Sequence, residues 1–151
     1  MANTQAMCTS FKAEVLTATH NFGTAPTRGS SVADSFKAAL FLASATVNAT
    51  TTAYSASGEV SGTNYVAGGN AITSWNAPTS SGTTAYTTPT ATITWTDVTL
   101  TTPFDAVLVY NSTQSNKAVS VHTFGSQTIT AGTFSLTMPS NDSTNALLRF
   151  A

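Results

Sequence analysis

The sequence predicts a mainly β fold, an antiparallel β-sandwich of the jelly-roll type with one short N-terminal helix. Apolar residues recur at every second position through most of the chain after Asp34, as expected of strands with a buried face. Gly, Pro, Asn and Ser separate these runs at short intervals, which is typical of sandwiches. Hydrophobic residues make up 41% of the 151 residues, enough for the core of one domain.

The N-terminal region, residues 1–33, is predicted to be an arm that carries the short helix, followed by a loop. The helix is expected over residues 10–22, with Ser10 at its start and Gly23 as its stop signal. Three apolar side chains fall near helical spacing there, namely Phe11, Val15 and Leu16. The sandwich domain is expected to occupy residues 34–151.

The first predicted strand lies within SFKAALFLASA, residues 35–45, and is apolar on both faces, which favours a strand covered on each side. Residues 46–71 contain several glycines at turn positions, so a long ordered loop or a pair of short edge strands is expected. A short strand is expected at 71–75, and residues 76–84 break the strand pattern.

The C-terminal half has the clearest alternation of polar and apolar residues. Strands are expected at 91–100, 104–111, 117–124, 127–131 and 133–139. STQSN, residues 112–116, has the length of a hairpin turn. A further hairpin is expected around Ala131 and Gly132, and ALLRFA closes the chain.

Charged residues are scarce, with five basic and six acidic residues and a net charge of −1. Scattered basic residues cannot neutralise a row of phosphates, so we expect no nucleic-acid partner.

No run approaches the ~18–20 apolar residues that cross a bilayer, so we expect no membrane partner. The N-terminus lacks a signal-peptide pattern, which favours synthesis in a cytoplasm. Cys8 is the single cysteine, and a buried, idle thiol is expected.

The residue types that catalysis needs are present without a catalytic pattern. His20 and His122 are far apart, and neither has a second ligand at metal-site spacing, so we expect no metal and no cofactor. Cys8 with a distant histidine could form a nucleophile pair. Glu59 could pair with another carboxylate for glycoside hydrolysis, the candidates being Asp97, Asp105 and Asp142. Turn formation and ion pairing explain these acids more simply, and we expect no enzyme activity.

A set of aromatic residues offers a second kind of site. Aromatic faces can stack on sugars, and they are equally the bulky fillers that a small sandwich core requires. The candidates are Trp75, Trp95, Tyr54, Tyr65 and Tyr86. Packing in the core or in an interface is the simpler interpretation, and a glycan platform stays open as the alternative.

Four stretches in order resemble a family of small virion-associated structural proteins of tailed bacteriophages. They are SFKAEVLTATHNF, ADSFKAALFLASATVNATTTAYSASGEVSGTNYVAGG, FDAVLVYNSTQSNKAVSVHTFGSQTITAGTF and the terminal NALLRFA. The GEVSGTNYVAGG and VYNSTQSNKAV blocks are the most specific, and the resemblance covers most of the chain. It contains no catalytic motif.

The resemblance implies a component of the phage particle, made in the host cytoplasm and located on the virion. Among positions on a particle, we expect the protein to lie on the capsid surface as a decoration or cement protein. It is then expected to bind the major capsid protein, and to bind other copies of itself as a dimer or trimer. Interface residues are expected in the arm, at Phe11, Val15 and Leu16, and in the GEVSGTNYVAGG loop, at Tyr65. The alternative is a tail or neck component, or a tail-tip adhesin that binds a cell-surface glycan. A third possibility is an exported bacterial carbohydrate-binding module. Such a module would need a secretion signal, and the sequence shows no pattern of this kind.

Overall fold

The computed structural model describes residues 3–16, 19–22 and 33–151. Within them the chain forms one helix and eight strands: β1 (Ala6–Met7), α1 (Thr9–Leu16), β2 (Phe36–Leu42), β3 (Asn70–Ile72), β4 (Thr79–Ser81), β5 (Thr84–Thr87), β6 (Ile93–Asn111), β7 (Lys117–Leu136) and β8 (Leu148–Phe150). All strand pairings are antiparallel. The mainly β fold with one short helix is therefore confirmed.

The strands form two sheets, one in the order β1-β7-β6-β2-β3 and one in the order β4-β5-β8. The two sheets share a core, because Leu148 of β8 is buried in the same hydrophobic cluster as β2, β6 and β7. The ring of Phe150 in β8 lies 6.0 Å from the ring of Phe11 in α1. Two antiparallel sheets around one core agree with a β-sandwich, while the jelly-roll connectivity stays a prediction.

Strand β2 is covered on both faces, as its double-sided apolar pattern predicts. Phe36, Ala38 and Leu40 point to one face and Ala39 and Phe41 to the other, and each is at most 1% exposed. On the first face the ring of Phe36 stacks on that of Phe22 from the arm, at 4.5 Å between centroids. Cys8 and Phe11 of the arm also belong to the shared core, and the boundary between arm and domain stays a prediction.

The segment between β2 and β3, residues 43–69, is a long ordered loop that covers the second face of the large sheet. It touches the strands through isolated bridges, including Phe41 with Glu59 and Thr63 with Thr99. Its last residue, Gly69, has a φ of +69°, and a Cβ there would lie 1.9 Å from the carbonyl oxygen of Ala38. Only glycine therefore lets the loop return this close to β2.

The expectation that residues 76–84 merely break the pattern is wrong. Strands β4 and β5 form a short hairpin there, with Thr79 opposite Tyr86 and Ser81 opposite Thr84. Gly82 has a φ of +59° in the turn, the conformation that tight hairpin turns demand. Strand β4 is polar and exposed throughout, and β5 buries only Thr87, a polar residue, so neither has the apolar alternation that marks a half-buried strand.

Strands β6 and β7 are each continuous where the sequence predicts shorter pieces. Pro103 does not end β6, because it lies in an irregular stretch between the pairs of Leu100 and Phe104. The hairpin expected around Ala131 and Gly132 is also wrong. Ala131 adopts a φ of +46° in a bulge of β7, and its N–H donates to Thr99 Oγ1 at 3.0 Å. A local kink has the same residue signature as a turn.

The helix is shorter than the predicted range of 10–22. It begins at Thr9 and ends at Leu16, and residues 19–22 are not helical. The N–H of Thr19 bonds to the carbonyl of Glu14, which closes the end of the helix. Thr, His and Asn in this stretch have low helix propensity. Tertiary contacts of His20 and Phe22 then determine the path of the chain.

Candidate functional site

The arm expected to dock on a neighbour packs closely on its own chain. Phe11 is fully buried, with ring contacts to His20 at 4.8 Å, Phe22 at 6.0 Å and Phe150 at 6.0 Å. Val15, one helical turn further on, is 37% exposed. The side chain of Leu16 lies outside the described residues. The arm therefore presents Val15 as apolar surface, and β8 presents the equally exposed Phe150 beside the buried Phe11.

Glu14 fastens the helix to the large sheet. Its Oε1 lies 2.5 Å from Lys117 Nζ at the start of β7, and its Oε2 lies 2.7 Å from His20 Nε2. Burial opposes ionisation, but the hydrogen bonds from Lys117 and His20 prevail and lower the pKa of Glu14. The arm is thus held by an ion pair as well as by its buried aromatic ring.

Tyr65, the loop residue expected at an interface, directs its hydroxyl into the fold. The hydroxyl donates to Glu59 Oε1 at 2.8 Å and accepts from the Leu40 N–H of β2 at 3.0 Å. Its neighbour Val66, which was not singled out from the sequence, is 67% exposed. In this loop Val66 is exposed to solvent, whereas the Tyr65 hydroxyl binds residues of its own chain. An interface role for Tyr65 stays a prediction.

Glu59 is the centre of a buried hydrogen-bond network. Besides Tyr65, it accepts from the Tyr54 hydroxyl at 2.6 Å and from the Gly68 N–H at 2.8 Å. The Tyr110 hydroxyl of β6 donates to the Gly68 carbonyl at 2.7 Å. A buried carboxylate needs such donors, and here Tyr65 and Gly68 also join the second half of the loop to β2 and β6.

The same network keeps its tyrosines protonated. Burial raises the pKa of Tyr65 and Tyr54 above their ordinary value, and the charge on Glu59 raises both further. Burial, with Glu59 second, raises the pKa of Tyr110 to about 12. The three tyrosine hydroxyls are therefore protonated at neutral pH and can act as hydrogen-bond donors.

Of the aromatic residues considered as a glycan platform, Tyr54 and Tyr65 meet at Glu59, while the two tryptophans and Tyr86 pack in other places. Trp95 is buried beside Phe134. Trp75 contacts the rings of Phe22 and Phe36 edge-on. Tyr54 stacks on Tyr110 at 4.7 Å. These three pack against the core, as does Tyr65, while Tyr86 lies in β5 of the smaller sheet.

The candidate carboxylate pairs are bound to different partners. Asp105 accepts from Asn3 Nδ2 at 2.5 Å. Asp142 accepts from the N–H groups of Thr144 and Asn145, at 2.8 and 2.7 Å. Glu59 lies in its tyrosine network, so the structure does not place it in a hydrogen-bonded pair with another acid among the described residues.

Cys8 is fully buried, with its Sγ 3.9 Å from the carbonyl oxygen of Asn48. Burial, and secondly the charge on Glu14, raises the pKa of the Cys8 thiol to about 11. A thiolate is the reactive form. The thiol is therefore protonated at neutral pH.

The strand predicted at 117–124 places His122 and Ser120 on one face, and the structure shows a hydrogen-bonded pair there. Residues i and i+2 of a strand share a face, and Ser120 Oγ lies 2.8 Å from His122 Nε2. Burial lowers the pKa of His122 from 6.5 to about 4, so the ring is neutral at neutral pH. Both residues line a cleft of about 400 Å³ between the sheets.

In the parts of the chain described, no cluster of three or more metal-ligating side chains is present. Over the same residues, no helix has the length and hydropathy to cross a membrane. No known family model, curated protein or solved structure matches this chain.

Proposed function

We propose that this chain is a structural protein of a tailed-phage particle, and that it decorates the head where major capsid subunits meet. The observation that supports this most is the placement of its few charges. Among the described residues, all of the acidic side chains except that of Asp97 accept hydrogen bonds within the chain, namely Glu14, Asp34, Glu59, Asp105 and Asp142.

The scarcity of charged residues leaves a surface made mostly of neutral side chains. Exposed positions on β4, β7 and the loops are occupied largely by Thr, Ser, Ala and Asn. Protein interfaces are depleted of Lys, Glu and Asp at their centre, and a net charge near zero favours association. A protein that packs among many copies of a shell needs this lack of mutual repulsion.

Exposed apolar side chains supply places for contact. Val15 and Phe150 flank the buried Phe11 at the arm, and Val66 projects from the loop on the other side of the large sheet. At ~25 cal/mol per Å² of apolar surface, a few hundred Å² per contact amounts to several kcal/mol before the cost of association. Repetition over a symmetric shell multiplies such modest contacts.

Co-sedimentation tests the proposal. Purified chain is mixed with phage heads that lack it and, separately, with purified tails of the same phage. Saturable binding to heads supports the capsid position. Binding to tails alone would overturn it in favour of the tail or neck, and binding to cell-surface glycan without particles would favour an adhesin.

A double substitution, Val15→Asp with Phe150→Asp, tests the arm within the same assay. It places charge on Val15 and Phe150, the two partly exposed apolar side chains, and leaves Phe11 in place; circular dichroism and a thermal melt of the variant check that it is folded before the binding assay. Val66→Asp is the matched change on the opposite side. Weakening by the first and not by the second would place the arm against the head.

A further inference from the structure

An apolar pocket of about 160 Å³ lies against the face of the large sheet to which Ala38 points. Its floor consists of buried side chains from β2 and β6, each at most 4% exposed: Ala38, Val107 and Val109. Its rim consists of half-buried apolar side chains from the end of β7 and from the connection that follows it: Leu136, Met138 and Leu147. The pocket therefore has a buried apolar floor and a rim that reaches the surface.

The size of this pocket exceeds that of an ordinary packing defect. Protein interiors are close-packed, and voids larger than one water molecule are few. Apolar cavities of about 150 Å³ stay dry and take up benzene or xenon. A pocket of about 160 Å³ therefore has room for one compact hydrocarbon of the size of a single aromatic ring.

The lining has few groups that could bind a charge, a sugar or water. In the described part of the chain no Asp, Glu, Lys or Arg lines the pocket, and its polar side chains are those of His122, Thr123 and Thr137. The Nε2 of His122 is already bonded to Ser120 Oγ at 2.8 Å. A buried water needs about two to four polar partners, and burial of an unpaired charge or hydroxyl is costly. The lining therefore favours an uncharged apolar molecule.

The rim supplies a route of entry. Met138 and Leu147 lie in the connection between β7 and β8, where residues 137–147 form neither helix nor strand. Leu147 and His122 also line the larger cleft between β1 and β8, so the two hollows adjoin at these side chains. Methionine is unbranched and adapts its shape to its surroundings. Movement of Met138 and Leu147 would admit a ligand to the floor without the displacement of a strand.

We propose that this pocket binds one small, neutral, apolar molecule, either an aromatic ring or a short alkyl chain, against Val107 and Val109 of β6. Removal of apolar surface from water, on the ligand and on the floor, drives the binding. A ligand that binds only the folded chain stabilises it, and the stabilisation increases with ligand concentration. The site goes beyond the decoration role and does not depend on it.

Benzene is the probe, and benzoate is the matched control because it adds a carboxylate to the same ring. Binding to the purified chain is followed by the chemical shifts of labelled methyl groups and by thermal melts. Millimolar benzene should shift the methyl signals of Val107, Val109 and Leu147 and raise the melting temperature, and benzoate at the same concentration should do neither. No saturable shifts with benzene, shifts confined to other methyl groups, or equal binding of benzoate would overturn the proposal.

Two substitutions that fill the pocket test its location. Val107→Phe places a ring in the floor, and Leu147→Trp enlarges a rim side chain outside the strands. Either should weaken benzene binding at least tenfold. Thr133→Trp on the exposed part of β7 adds similar bulk away from the pocket and should leave binding unchanged.

Circular dichroism checks that each variant is folded before binding is measured. Leu147→Trp, which leaves the buried floor intact, decides the test if Val107→Phe does not fold. Undiminished benzene binding by a folded pocket-filling variant would overturn the proposal, as would equal weakening by Thr133→Trp.

Discussion

The Tyr65 hydroxyl lies 2.8 Å from Glu59 Oε1 and 3.0 Å from the Leu40 amide nitrogen. One oxygen thus joins the long loop to the middle of β2, at a point where a buried N–H of the sheet would otherwise have no partner. The loop in turn shields the second face of the large sheet. The order of this loop, and of the Val66 surface that it presents, depends on a small number of buried polar bonds.

Tyr65→Phe should lower the free energy of unfolding by about 1–3 kcal/mol, because it removes a donor to Glu59 and leaves the Leu40 N–H unpaired. Denaturant titration followed by circular dichroism measures the change. Tyr86→Phe, in the smaller sheet, is the matched control and should cost much less. Equal effects of the two substitutions would contradict the role assigned to the Tyr65 hydroxyl.

Gly69→Ala should be strongly destabilising, by about 4 kcal/mol or more, since a methyl group would overlap the Ala38 carbonyl and the φ of +69° disfavours any side chain. Gly125→Ala is the control, because no atom lies within 4 Å of its added Cβ. Thermal melts of both variants test the difference. A Gly69→Ala protein as stable as Gly125→Ala would show that the loop does not approach β2 as described.

His122 should make the fold sensitive to acid. Burial lowers the pKa of His122 from 6.5 to about 4. Between these two pH values the side chain is protonated in the unfolded chain and neutral in the folded chain. Its contribution to stability is present above about pH 6.5 and is lost as the pH falls to 4, at no more than about 1.4 kcal/mol per pH unit. Glu14, whose pKa is also lowered, acts in the same direction.

His122→Gln isolates the histidine, because glutamine can bond Ser120 without titrating. The free energy of unfolding of this variant should depend less steeply on pH between 6.5 and 4 than that of the wild type. Nuclear magnetic resonance titration of the imidazole gives the pKa directly. A value near 6.5 would contradict the desolvation of this partly buried ring.

Cys8 should resist thiol reagents in the folded protein, since burial raises the pKa of its thiol to about 11 and no solvent reaches it. A disulfide reagent should label it slowly in buffer and rapidly in denaturant. A Ser126→Cys variant supplies an exposed thiol on β7 as an internal control. Rapid labelling of Cys8 in buffer would contradict its placement in the core.

Alternation of apolar residues predicted the strands that bury a face. It located β2 and the STQSN turn between β6 and β7 because those elements obey the period of two that burial imposes. It failed at β4, whose Thr and Ser residues are exposed, and at β5, whose buried residue is the polar Thr87, because neither strand buries an apolar face. It also split β7 at Ala131 and Gly132, because a bulge and a turn draw on the same residues.

The candidate site was predictable in part. Phe11 and Val15 were identified from helical spacing, but spacing could not say that Phe11 would be enclosed by His20 and Phe22 from beyond the helix and by Phe150 from the other end of the sequence. The inward direction of Tyr65 depends on Glu59 meeting it across the loop. The cleft between β1 and β8 joins the two ends of the sequence, a relation that only the fold creates.

The measurement that tests the decoration role most directly is the temperature at which heads release their DNA. Heads lacking the chain are recoated with wild-type protein or with the Val15→Asp, Phe150→Asp variant and heated. The role predicts a higher release temperature for heads recoated with wild type, with saturation at a fixed number of copies, and a smaller gain for the variant. An unchanged release temperature at saturating wild-type protein would contradict it.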